Sequence, residues 1–230
     1  MDWLIVALAG FLGGMLNAVA GGGSFLTLPA LIYVGVPPIA ANATGTAALL
    51  PGYMASAWRF RKDIEFPAGL GMSGVIGISI VGGGLGAAVL LVSSDQLFAS
   101  LIPWLILFAT VAFIIGPRLI NRRASSADAG GPVDSPTEQS ALTVTLVLFA
   151  VCAYGGYFNG GLGIILLAAL GLLGQTNLHG MNGFKNLVSA LLTTVAVVVY
   201  ALGDTIWVSH LLVAGTAAIL GGYLGAAVAY

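Results

Sequence analysis

Residues 3–58 carry no charge, and Asn17-Ala18-Val19-Ala20-Gly21-Gly22-Gly23-Ser24 sits among them. The run is too long for one membrane crossing, because a bilayer's hydrocarbon core takes about 20 apolar residues as helix. Three glycines in a row interrupt a helix, each costing about 1 kcal/mol relative to alanine. Backbone freed at membrane depth persists only where protein buries it or where it lines a cavity. The run therefore predicts an integral membrane protein that holds a broken helix at a polar site.

The rest of the chain agrees. Only 7% of the residues are charged, against about 25% in a soluble domain. Mean hydropathy is +1.05, and the 34 glycines suit close helix packing in lipid. A net charge of -1 leaves no nucleic-acid footprint. The single cysteine, Cys152, excludes an internal disulfide and lies in an apolar run, as a small buried residue does. His179 and His210 are too few for a metal site, so no metal or cofactor is expected. Met1-Asp2 lacks the basic segment that opens a cleavable signal peptide.

Charges punctuate the chain at Arg59, Arg61, Lys62, Asp63 and Glu65, at Asp95, within 118–138 and at Asp204. Between them, residues 66–94 and 96–117 each fit one span. Residues 118–140 read as a polar linker rich in Gly, Ser and Pro. After it come 141–176, broken by glycines, then 178–202 and 205–230. The expected fold is all-α, a polytopic transmembrane bundle. Its parts are a first repeat over 1–117, a cytoplasmic linker over 118–140 and a second repeat over 141–230. Six of the seven basic residues lie at 59–62 and 118–123. Two spans separate these places, so both can face the cytoplasm of a multi-pass plasma-membrane protein.

The repeat rests on three matches. Residues 82–89, Gly-Gly-Gly-Leu-Gly-Ala-Ala-Val, recur at 221–228 with seven of eight positions identical and an offset of 139. Gly14-Met15-Leu16-Asn17 with Gly21-Gly22-Gly23 resembles Gly156-Tyr157-Phe158-Asn159 with Gly160-Gly161-Leu162-Gly163. Asn42 matches Asn182. If each broken segment is a re-entrant hairpin, each half crosses three times and the second half is inverted. If it crosses fully, the halves are parallel. The inverted form is expected, because the turn at 202–205 lacks the basic residues of 59–62. The counterpart of span 96–117 would begin near residue 235, so either the sequence is truncated, which is the favoured reading, or the protein has lost a span.

Lys185 is the one charge within an apolar stretch. A lysine at the centre of a membrane helix costs roughly 2.5–3.5 kcal/mol and usually faces a cavity or a partner. No carboxylate shares its segment, so the natural partner is a bound anion. At about 4 Å and an effective dielectric of about 20, such a pair gains about 4 kcal/mol before desolvation. The alternative is that Lys185 snorkels to the nearby interface. Helix N-termini at the breaks add unpaired N–H groups that bind anions. Gly21, Gly22, Gly23 and Ser24, with Ser24 as cap, form one such start; Gly161 and Gly163 form the other. Asn17, Asn42, Thr44, Thr46, Asn159, Asn182 and Asn186 add uncharged donors, each equally suited to an interhelical hydrogen bond. Three consecutive glycines exceed what packing needs, whereas Gly82 to Gly86 and Gly221 to Gly225 read as helix contacts. Tyr33, Tyr53, Trp58, Trp104, Trp207 and Tyr223 read mostly as interface or packing residues.

The Asn17 to Ser24 break, the Asn42-Ala43-Thr44-Gly45-Thr46 helix start, the Arg59-Phe60-Arg61 helix end and Lys185-Asn186 resemble the sulfite exporter TauE/SafE family of membrane permeases. The resemblance spans essentially the whole chain. It implies a secondary transporter, an exporter, of small sulfur-containing anions such as sulfite, thiosulfate or organosulfonates. The second break, with one fewer consecutive glycine, departs from a symmetric pattern. A passive anion channel would share the same cationic, glycine-rich pore. An enzyme is not expected, since no nucleophile, base and acid set is present. A structural subunit would not need Lys185 and two broken helices. The sequence leaves oligomeric state open.

Overall fold

A computed structural model describes residues 1–67, 69–128 and 140–229. Every regular element among them is helical. In order they are α1 (Asp2–Ala20), α2 (Ser24–Tyr33), α3 (Pro38–Arg59), α4 (Met72–Val92), α5 (Asp95–Asp128), α6 (Ala141–Tyr157), α7 (Leu162–Leu172), α8 (Leu178–Leu202) and α9 (Val208–Ala229). Segments of α1, α4, α5, α8 and α9 are long and apolar enough to cross a membrane. The two expected breaks fall between α1 and α2 and between α6 and α7.

Local chemistry explains the ends. Gly21 terminates α1 in the left-handed region, at φ 77°, with its N–H on Asn17 O. Gly161, at φ 69°, does the converse and starts α7. Pro38 opens α3, where its missing N–H costs nothing. Ser140 caps α6, and Asn177 caps α8 by accepting from the N–H groups of His179 and Gly180. The polar stretch expected to begin at residue 118 is helical as far as Asp128. Its sequence to that point is made mostly of residues a helix accepts, and its glycine pair and prolines come later. That later part of the expected linker, 129–139, lies outside the described residues.

The helix α3 is 22 residues long, about 33 Å at 1.5 Å per residue. Its residues 39–49 are buried on all sides, the mark of a central helix. Around it, α1 packs along α9, α4 along α6, and α3 against α8. Glycines permit these approaches. A Cβ at Gly86 would collide with the Ala153 carbonyl, one at Gly221 with that of Phe11, and one at Gly156 with that of Gly83. The repeated glycine motif thus serves packing, as its pattern suggested.

Neighbouring residues set the directions. Gly13 abuts Gly23 and Thr27, so α2 folds back along α1. Gly45 meets Thr27 and Leu31 while Leu49 meets Gly23, so α3 turns back along α2 and runs with α1. Gly10 meets Ala214 and Gly225 meets Met15, so α9 also runs with α1. Gly82 meets Cys152 and Gly86 meets Tyr157, so α6 runs with α4. Gly83 meets Leu192 and Gly203 meets Leu91, so α8 runs with α4. Gly180 meets Glu65 and Gly183 meets Ile64, which places the start of α8 by the end of α3. Thus α4 runs opposite to α3, and the hairpins α1–α2 and α6–α7 enter the bundle from opposite ends.

Glycine's packing role is testable. Gly86→Leu is expected to lower the melting temperature in detergent, consistent with an overpacking cost of about 1–3 kcal/mol. Gly77→Leu is expected to leave it unchanged, because a Cβ there meets nothing within 4 Å. Thermal unfolding followed by size-exclusion chromatography compares the two.

Candidate functional site

The two breaks touch. A Cβ on Gly21 would lie 2.9 Å from the Gly163 Cα, and one on Gly161 would lie 2.8 Å from the Phe25 ring. The N-terminal ends of α2 and α7 therefore meet inside the bundle. At the first break the N–H groups of Phe25, Leu26 and Thr27 bond back to Gly22 O and Gly23 O. The N–H groups of Gly22, Gly23 and Ser24 donate to no backbone carbonyl. Around these donors stand buried side-chain atoms without a protein partner: Asn17 Oδ1 and Ser24 Oγ at the first break, and both amide atoms of Asn159 at the second. An unpartnered polar group in such a place costs about 1–3 kcal/mol.

The central helix α3 joins the breaks. Asn42 Nδ2 donates to Tyr157 O, the last carbonyl of α6, at 3.2 Å. Seven residues on, Leu49 packs against Gly23. Thr46 lies between them on the same face, 1% exposed, and its Oγ1 has no partner. The stripe Asn42, Thr46, Leu49 thus spans from one break to the other over about 10 Å of helix rise.

Several expected residues turn out differently. Ser24 does not cap α2. Gly23 is the N-cap and is itself helical, at φ -56° and ψ -34°, so the first turn is wound before Ser24 can accept a bond. The triple glycine is also partly a packing device. Gly21 is pressed on Gly163, and a Cβ at Gly23 would lie 2.5 Å from Gly13 O. Only at Gly22 would a Cβ make ordinary contacts, with Phe25 and Leu16. Thr44 Oγ1 accepts from Trp207 N at 3.0 Å and so ties down the chain entering α9. Asn182 is half-buried and Asn186 buried. Lys185 is 2% exposed. It lies five residues past Gly180, which packs on Glu65, and no described carboxylate forms an ion pair with it. Glu65 instead accepts from Asn177 Nδ2.

Three tyrosines matter: Tyr154 and Tyr200, which the pattern of the chain does not single out, and Tyr53, which it reads as an interface or packing residue. Tyr200 hydroxyl donates to Gly156 O, and Tyr154 hydroxyl to Gly160 O at 2.7 Å. Both hold carbonyls freed at the second break. Tyr53 is wholly buried beside Leu49 and Ala190, the packing role of the two expected for it. Tyrosines spaced within apolar runs carry this signal only weakly, since packing uses the same residues. Among the described residues no group of His, Cys, Asp and Glu could hold a metal ion.

Long apolar helices with two polar breaks in contact at the bundle's interior make this chain a multi-pass membrane transport protein. It belongs to the family described as Sulfite exporter TauE/SafE, whose sequence model matches residues 6–230. A "Probable membrane transporter protein" of Haemophilus influenzae is 29% identical over 238 residues, covering 96% of this chain and 83% of that protein. A "Probable membrane transporter protein ORF9" of Sinorhizobium sp is 26% identical over 177 residues, covering 73% of this chain and 62% of that protein. No solved structure matches.

Asn159 sits at φ 59°, a region that costs a non-glycine residue roughly 1–2 kcal/mol. Asn159→Gly is expected to preserve or raise thermal stability, whereas Asn159→Val is expected to lower it. The same thermal unfolding measurement decides, and equal stability of the two variants would remove backbone strain as the reason for asparagine here.

Proposed function

We propose that the chain is a secondary transporter that exports small sulfur-containing anions, with sulfite, thiosulfate and organosulfonates as the class. The substrate lies between the breaks, near the middle of the bilayer of the plasma membrane. The observation that carries this reading is the contact of Gly21 with Gly163, which brings two helix N-termini together beside the unpartnered Ser24 Oγ, Thr46 Oγ1 and Asn159 amide, with Asn17 at the first break. Helix N-termini and amide donors suit an anion with several acceptor oxygens. The donors Asn17, Gly22, Gly23, Ser24 and Asn159 bind its oxygens, with Thr46 beside them and Asn42 holding the second break in place. Lys185, with Asn182 and Asn186 on the same helix, supplies the positive charge on the substrate's path. The opposed hairpins support an inverted pair of halves, the arrangement that lets one site be reached from either side. The basic residues 59–62 and the linker at 118–140 face the cytoplasm.

Binding of sulfite, thiosulfate and ethanesulfonate to the purified protein, with counterflow in proteoliposomes, tests the reading. Lys185→Ala is expected to weaken affinity by about tenfold or more, the equivalent of about 1.4 kcal/mol, without loss of folded protein. Asn159→Gly is expected to weaken it as well while the fold is retained. Wild-type affinity in both variants would remove these side chains from the path. Flux that rises with concentration without saturating would replace the carrier by a passive channel.

A further inference from the structure

A cavity of about 350 Å³ lies between α1, α3 and α9. It runs from Gly14 and Gly52 to Arg59 at the end of α3. Gly52 is next to Asn17: a Cβ there would meet Asn17 Nδ2 at 3.8 Å and nothing else within 4 Å. The cavity's inner end therefore reaches the first break. Arg59 is the one charged residue of its lining.

The internal repeat allows the same surface to be inspected in the other half. With the offsets of 139 to 142 read from the matching residues, the counterparts of Gly52, Ala55, Ser56 and Arg59 are Leu192, Val195, Ala196 and Val199. That surface is closed. A Cβ on Gly83 would lie 3.0 Å from Leu192 Cβ, and one on Gly84 would lie 3.5 Å from Val195 Cγ1. The counterpart of Gly83 is Gly222, and it meets nothing of α3 within 4 Å. Tyr200, the counterpart of Phe60, bonds to Gly156 O and ties α8 to α6. Ala196 and Leu192 are 0% exposed, whereas Gly52 and Ser56 are half-buried and Ala55 is exposed. One half has a slot where the other has a seam.

We propose that the α1–α3–α9 cavity is the vestibule through which the anion passes between the break site and the end of the bundle that carries Arg59. The α4–α6–α8 seam is the same vestibule in its closed form, with Tyr200 as its latch. Two elements related by a repeat but differing in packing are the two states of one alternating gate. Opening the seam separates Leu192 from Gly83 and releases Tyr200 from Gly156, while α3 and α9 close on Gly52. Small residues at Gly52, Gly222, Gly83 and Gly84 let each face close without a steric barrier. The inference deepens the transporter reading and rests on it for the break site and for the identity of the anion.

Thiol accessibility tests it in a Cys152→Ala background, using a membrane-impermeant cationic methanethiosulfonate on vesicles of both orientations. Ser56→Cys is expected to react from the side bearing Arg59. Ala196→Cys is expected to react about tenfold more slowly or worse from either side, because the minor conformer of such a pair is populated at about 10% or less. Adding Tyr200→Phe is expected to speed Ala196→Cys from the opposite side and to slow Ser56→Cys. The reciprocal change separates gating from damage, because unfolding raises both rates together. Equal rates at the two cysteines, reaction of Ser56→Cys from the opposite side, or a joint rise with Tyr200→Phe overturns the proposal. The expected labelling with no binding of sulfite or ethanesulfonate retains the two gates and overturns the substrate class instead.

Discussion

Every backbone N–H and C=O of this protein that leaves a helix at membrane depth must find a partner, because hydrocarbon supplies none. The two breaks create such groups, and much of the bundle exists to accommodate them. Tyr200, Tyr154 and Asn42 take carbonyls at the second break. The first break satisfies part of itself by winding Phe25, Leu26 and Thr27 onto Gly22 and Gly23. What remains are N–H groups at Gly22 to Ser24 and polar side-chain atoms at Asn17, Ser24, Thr46 and Asn159. These residual donors are where a negatively charged molecule gains most.

The same constraint explains the position of α3. A helix carrying Asn42, Thr44 and Thr46 is poorly suited to face lipid, and residues 39–49 are shielded on all sides. Its polar residues divide the labour. Asn42 steadies the end of α6, Thr44 the entrance of α9, and Thr46 stays unpartnered between the breaks. Glycine makes that crowding feasible. At Gly86, Gly156 and Gly221 backbone lies where a side chain would stand, so helices approach by van der Waals contact without a hydrophobic driving force.

Lys185 poses the complementary problem of a buried cation. Five of its neighbours along the seam-forming helix α8, at positions 184, 186, 188, 189 and 190, are buried with it. Its charge is not neutralised by a described carboxylate. A buried ammonium without a carboxylate partner is expensive.

The class of protein, the places where two helices break and the residues that pack helix on helix were all legible in the chain. Low charge, long apolar runs and consecutive glycines act locally, through solvation and backbone freedom, and so leave a direct mark on sequence. Asn17, Gly21, Asn159 and Gly163 could be picked out for the same reason. Other features depend on partners distant along the chain. That Gly21 rests on Gly163, that Thr44 serves Trp207, that Gly23 and not Ser24 starts α2, and that Tyr200 holds Gly156 became visible only in three dimensions. The asymmetry between an open slot at Gly52 and a closed seam at Leu192 is of the same kind. Gly52 and Ser56 in one half and Leu192 and Ala196 in the other differ along the chain, but whether a face stays open or closes was decided by the tertiary structure, because the closing of a helix face is a contact energy shared among several helices and belongs to none of them alone.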